Sequence, residues 1–285
     1  MRRRFPRGRW LWLAPGALLF LLVFLSVLTY TLPGDVILSS VRPFLSRAGL
    51  TISSESARTE LPLAFRMDNV VIGRPGGDRL LLDTVRVSWE WTGLLRWLPF
   101  HGIASKGNAT AEVFTSPRFW DPGKGRLALA SLSSEDLSPL IPISSSGAGF
   151  QLDTAGMRWK RSASGKITGT GTGRFAWVRV PIPEPSSPIR EALLQDVTIL
   201  FALREGSLII SSFTATYEGA RVEGTGEIAG IFTPTRSAIT FYLKIENPLE
   251  GKIATIFDLL AKNAKNANLR ITGTLLSPRG EFQFF

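Results

Sequence analysis

From Thr51 onward, apolar and polar residues alternate with a period of two, and this constrains the fold more than any other feature of the chain. Leu81, Val85, Val87, Trp89 and Trp91 fall on one side of an extended reading, with Thr84, Arg86, Ser88 and Glu90 on the other. Val197, Ile199, Phe201 and Leu203 alternate with Asp196, Thr198 and Arg204. Glu205-Gly206 then turns the chain back through Leu208 to Tyr217, which reads as a hairpin. Ile239, Phe241, Leu243 and Ile245 alternate with Thr240, Tyr242, Lys244 and Glu246. Strands with one buried and one wetter face belong to antiparallel sheets. The chain has no cysteine, so such a sheet must hold by burial and strand pairing alone.

The N-terminus follows a different rule. Arg2, Arg3, Arg4, Arg7 and Arg9 come without an acid, and Trp10 to Leu32 is a run of 23 residues without charge. A helix of roughly 20 apolar residues crosses a bilayer core, and flanking arginines hold their side in the cytoplasm. A cleaved signal has a shorter apolar core and a small-x-small site; here only Thr29 and Thr31 approach that pattern. The expected fold is therefore mainly β: an N-terminal transmembrane helix, then a curved, mostly antiparallel β-sheet, half-barrel or taco-like, with a few short helices.

The expected layout is a cytoplasmic basic tail (1–9), a transmembrane helix (10–32), a periplasmic β lobe (33–180), a Pro-rich connector (181–188) and a second β lobe (189–285). A single domain with a long loop at 181–188 is the other arrangement. Asp35 to Gly49 reads as a short helix, kinked or cut at Pro43, and Thr92 to Leu98 as another. In the second lobe, residues 248–264 read as a helix: Asn247 suits the N-cap, Pro248 the first turn, and Leu249, Ile253, Ile256, Phe257 and Leu260 form an apolar stripe.

A short pattern recurs as Ile167-Thr168-Gly169-Thr170-Gly171, Val222-Glu223-Gly224-Thr225-Gly226 and Ile271-Thr272-Gly273-Thr274-Leu275. Glycine inside a strand marks a bulge, a bend or a close backbone approach, and curved sheets need such points. With the N-terminal anchor and the ending Leu269 to Phe284, these strands resemble the type II secretion system protein N family and the wider AsmA/TamB-like group. The segment Ile271 to Pro278 is similar to a strand ending common in that group. The resemblance implies an inner-membrane protein with a curved periplasmic β-sheet that associates with type II secretion components. The wider group implies a groove with an apolar interior suited to lipid. Neither implies catalytic residues.

Little here supports chemistry. His101 is the single histidine, expected in a surface turn, and a Ser-His-acid triad would have to use it. With no cysteine, a His/Cys zinc site cannot be assembled. Gly169, Gly171 and Gly173 precede an alternating segment rather than the helix a phosphate loop requires. Net charge is +10, but five of those charges are the N-terminal arginines. The rest are spread thinly along the chain, unlike a nucleic-acid footprint. No catalytic residue, metal or cofactor is expected, and nucleic acid is not an expected partner.

The expected function is a non-enzymatic subunit in the bacterial inner membrane, its bulk in the periplasm, acting through protein contacts of its sheet with type II secretion components. The alternative is a lipid-binding or lipid-transfer module. Val85, Val87, Trp89, Trp91, Val197, Ile199, Phe201, Ile239, Phe241 and Leu243 are the candidate residues of either an apolar groove or a closed core. Phe282 and Phe284 mark a candidate edge strand able to accept a partner strand.

Overall fold

The structure, a computed structural model, describes residues 50–60, 64–73, 79–90, 98–116, 123–139, 148–162, 164–181, 191–230, 237–248, 265–274 and 277–284, together with ten single helical positions, among them 23, 27, 254 and 257. Fourteen strands form one sheet, each hydrogen-bonded to its neighbours in the sequence. They are β1 (Thr51–Glu60), β2 (Ala64–Gly73), β3 (Arg79–Trp89), β4 (Phe100–Lys106), β5 (Ala109–Thr115), β6 (Lys124–Ser133) and β7 (Gly149–Arg161). Then follow β8 (Ile167–Pro181), β9 (Glu191–Arg204), β10 (Ser207–Tyr217), β11 (Ala220–Ala229), β12 (Ala238–Glu246), β13 (Asn266–Thr274) and β14 (Ser277–Phe284). Every pairing is antiparallel. Among the described residues β1 and β14 pair on one side only, and the sheet does not close into a barrel. Helix is nearly absent among the described residues; α1 (Ser134–Leu137) is a single turn capped by Ser133 and Asp136.

The hairpins follow the residues that their turns demand. Glu205-Gly206 joins β9 to β10 with φ of 50° and 89°, and Glu218-Gly219 joins β10 to β11 with φ of 45° and 83°. Positive φ at both central positions is the type I′ geometry that matches strand twist. Across the 181–188 segment, Pro181 of β8 pairs with Glu191 of β9, so strands on either side of it share the one sheet.

The alternation is not continuous along each strand. Phe65 and Met67 share a cluster with Val70, and Ile72 packs against it, although the two pairs differ in parity. The change falls at Asn69, which has φ of 50°. Left-handed backbone reverses the side on which the next residue points, and asparagine and aspartate tolerate it best. Ser131 (φ 53°) and Asp196 (φ 50°) do the same in β6 and β9; Leu194 and Val197 consequently share one cluster. The register runs unshifted past Asn69 into β1 and β3, opposite Glu55 and Asp83, so the three strands reverse along one line.

This corrects the sequence reading of β3. Leu81 does not share a face with Val85 and Val87: it is 52% exposed, while Leu80 is buried. The strand reverses at Asp83, between them.

Of the expected transmembrane helix, 10–32, only Val23 and Val27 are described; both are helical and exposed. Among the described residues no helix is long and apolar enough to cross a membrane. Ser39, Arg42, Pro43 and Ser46 are helical within the expected 35–49 helix. The 92–98 segment, all but Leu98, and Trp91 lie outside the described residues. In the 248–264 segment, Ala254, Thr255, Phe257 and Leu259 are helical, and Phe257 packs with Ala220 and Ala267 at one end of the sheet.

Candidate apolar binding face

Register partners in an antiparallel sheet lie on the same face. Starting at Ala57, successive partners across the strands are Met67, Val85, Ala104, Ala111, Leu129, Ala155, Gly173, Ile199, Phe213, Gly224, Leu243 and Leu269. The row ends at the register position of Phe282 in β14. Every position in it is apolar. A parallel row runs from Phe65 through Val87, Val113, Leu127, Met157, Phe201, Ile210 and Phe241 to Ile271, with Gly102, Gly171 and Gly226 between them. A third passes through Trp89, Phe100, Trp159, Leu203, Leu208, Ile228 and Ile239, with Gly125, Gly169 and one polar residue, the buried Thr115, between them.

The sheet therefore presents a largely apolar face from β1 to β13. Val197, Leu203, Ile210, Val222 and Ile239 are buried in it, whereas Val85, Val87, Ile199, Phe201, Phe241 and Leu243 are half-buried. Among the described residues no second sheet covers it; helical Phe257, packed on Ala220 and Ala267, covers its end at β11–β13. Of the candidate residues named from sequence, Val85, Val87, Trp89, Val197, Ile199, Phe201, Ile239, Phe241 and Leu243 all lie on this face. Phe282 and Phe284 pair with Leu269 and Ala267 in the edge strand.

The recurring glycines belong to the same face. A Cβ on Gly226 would stand 2.5 Å from Phe241 Cδ1, and one on Gly224 2.5 Å from Leu243 Cδ2. Gly171 lies under Phe201 and Gly125 under Trp159 in the same way. Large side chains lie flat across the glycines of the neighbouring strand, which lowers the relief of the face. In β4, β5, β7 and β8 the first row narrows to Ala104, Ala111, Ala155 and Gly173, broken only by Leu129 of β6.

The opposite face is polar. Its best-defined cluster centres on His101, which is not in a surface turn: it sits in β4 and is 9% exposed. Its Nδ1 lies 2.6 Å from Glu90 Oε1, its Nε2 lies 2.7 Å from Glu112 Oε1, and its ring stacks on Phe114 at 4.1 Å. The Pro-Phe-His-Gly sequence is a strand start, because Phe100 and Gly102 take the apolar face and leave His101 on the other. A doubly protonated ring donates to both carboxylates; a neutral ring donates to one. Both ring nitrogens face carboxylates, so neither is directed at Ser88, the register partner of His101. Arg86, Ser88, Trp89 and Ile103 complete a cavity of about 240 Å³ beside it. Among the described residues no three His, Cys, Asp or Glu side chains are grouped to hold a metal ion.

A second polar-face cavity, about 670 Å³, lies over β10–β13. Tyr242, 53% exposed, stands in it with the Arg270 guanidinium 5.6 Å from its ring centroid. In β1–β3 and at Lys106–Asp136 charges are paired. A hydrogen bond from Arg66 holds the Asp68 carboxyl below the usual range against partial desolvation. Burial works to raise the Asp136 carboxyl, but the Ser133 hydroxyl, the Ser133 N–H and Lys106 outweigh it, and its pKa is lowered.

The chain matches no protein-family model, no curated protein and no solved structure.

Proposed function

We propose that this chain is a non-enzymatic, membrane-anchored envelope protein whose sheet holds lipid acyl chains against its apolar face. The observation that carries this reading is the row from Ala57 to Leu269, apolar at every register position and half-exposed along much of its length. A contiguous apolar surface of this extent is characteristic of a binding site. The glycines under Phe201, Phe241 and Leu243, with the register shifts in β7 and β10, favour a sheet curved into a half-barrel around that face. Residues 10–32 would anchor the chain in the bacterial inner membrane, N-terminus cytoplasmic and sheet periplasmic.

Native mass spectrometry of the full chain, extracted gently from its own membrane, tests this directly. Bound lipid is expected. The variant Ala111→Trp/Ala155→Trp, which fills the narrow part of the first row, is expected to lose it while retaining the sheet. Absence of lipid from the wild type, and failure to load it, would overturn the reading.

A second reading rests on β14, which among the described residues pairs on one side only. An edge strand can take a partner strand by main-chain hydrogen bonding, as a subunit associated with type II protein secretion would. Copurification of secretion subunits without lipid would favour it.

A further inference from the structure

Cations that look scattered along the sequence are gathered by the fold. On the polar face of β6–β9, Lys124 is the register partner of Lys160, and Arg126 the partner of Arg158. The first row continues through Thr168 to Arg204, the second to Thr170. All five cations are exposed, and none makes an ion pair among the described residues.

The contrast with β1–β3 shows that this is not the general condition of the face. There Arg58 and Arg66 pair with Asp68, and Arg86 pairs with Glu60. Like charges directly opposite each other across strands oppose pairing, and β6–β7 carries two such pairs in alternate positions. Cross-strand neighbours stand about 5 Å apart and alternate residues of a strand about 7 Å apart. The result is a grid of cations on adjacent strands, with the Thr168 and Thr170 positions beside them.

We propose that this grid docks the polar face on the phosphate-bearing surface of an anionic bilayer. An exposed array of unpaired point charges suits a layer of headgroups, which offers phosphates at every position and demands no register. The aromatic ring beside the grid, Phe114 next to Arg126, is half-buried and already stacked on His101, whereas single-stranded bases need open rings to stack on. The inference goes beyond the acyl-chain reading and does not depend on it, because the cations lie on the opposite face.

The test uses the full chain anchored in phosphatidylcholine nanodiscs, so that its N-terminal segment is already occupied. Capture is measured on vesicles of phosphatidylcholine and on vesicles of equal parts phosphatidylcholine and phosphatidylglycerol. The discs are expected to bind the anionic vesicles alone, and less as salt rises. Lys124→Gln/Arg126→Gln/Arg158→Gln/Lys160→Gln is expected to weaken binding by at least about tenfold, from the attraction each basic residue contributes near such a surface. Arg79→Gln/Arg221→Gln/Lys244→Gln/Arg270→Gln, with the same change in net charge elsewhere, should bind as the wild type does. The charge-preserving Lys124→Arg/Arg126→Lys/Arg158→Lys/Lys160→Arg should also bind, and thermal unfolding of all three reports on folding. Equal losses in the first two variants, unchanged binding in the first, or capture of heparin but not of vesicles would each overturn the proposal. Lipid bound to the apolar face is read separately by mass spectrometry, so either inference can fail alone.

Discussion

Phe241 of β12 lies across Gly226 of β11, its register partner, so closely that a Cβ on Gly226 would stand 2.5 Å from Phe241 Cδ1 and 2.8 Å from the Thr240 carbonyl oxygen. The glycine is there because the ring needs its space. Gly226→Ala is therefore expected to destabilise the sheet by about 1–3 kcal/mol, the usual cost of overpacking. Combining it with Phe241→Ala relieves the ring contact but not the backbone one, so a double-mutant cycle in urea unfolding should show partial rescue. Full additivity would mean that the ring and the glycine are not coupled.

Asn69 carries positive φ in the middle of β2, where the strand reverses its faces. Asn69→Val should cost about 1–2 kcal/mol, the penalty of left-handed backbone for a side chain branched at Cβ. Asn69→Gly, free of that penalty, should lie close to the wild type, losing only the hydrogen bond to Glu55. Thermal unfolding of the two variants checks this; equal losses would place the effect in the side chain rather than the backbone.

His101→Phe preserves the stack on Phe114 and removes both hydrogen bonds to Glu90 and Glu112. A loss of about 1–3 kcal/mol is expected, the range for hydrogen bonds to charged groups. The two glutamates are more than a third exposed and can return to water, which limits the loss. His101→Phe in the Glu112→Gln background should cost less than in the wild type.

Acid should weaken the sheet at identifiable carboxylates. Asp68 and Asp136 both have folded pKa values below their ordinary 3.8. A carboxyl lowered in the folded state contributes stability that is present above its unfolded pKa and is lost as pH falls through the folded value. The difference in stability between the wild type and Asp136→Asn should therefore be constant near neutrality and shrink below about pH 4. A difference unchanged down to the folded pKa would show that the Ser133 and Lys106 contacts do not act on the ionised form.

The strands and hairpins were legible because each follows from local rules: a period of two, and turns such as Glu205-Gly206 that name their own geometry. Leu81 was misplaced because the alternation was carried through Asp83 as though unbroken. The break has a signal: Phe65-x-Met67 changes parity to Val70-x-Ile72 across Asp68-Asn69. His101 was misread because proline and glycine beside it suggested a turn, whereas pairing with β3 and β5 makes the segment a strand. Which acids flank that ring depends on register across three strands, and no local pattern encodes it.

Antiparallel strands with one apolar side are written into the residue pattern, since burial and pleat together require alternation. The pattern also marks the glycines on which neighbouring side chains rest. Only the assembled sheet aligns fourteen such strands into continuous rows, reverses their faces at Asn69, Ser131 and Asp196, and brings Lys124, Arg126, Arg158, Lys160 and Arg204 onto one surface. Residues far apart in the chain become neighbours only through register, and register is set by all the strands together.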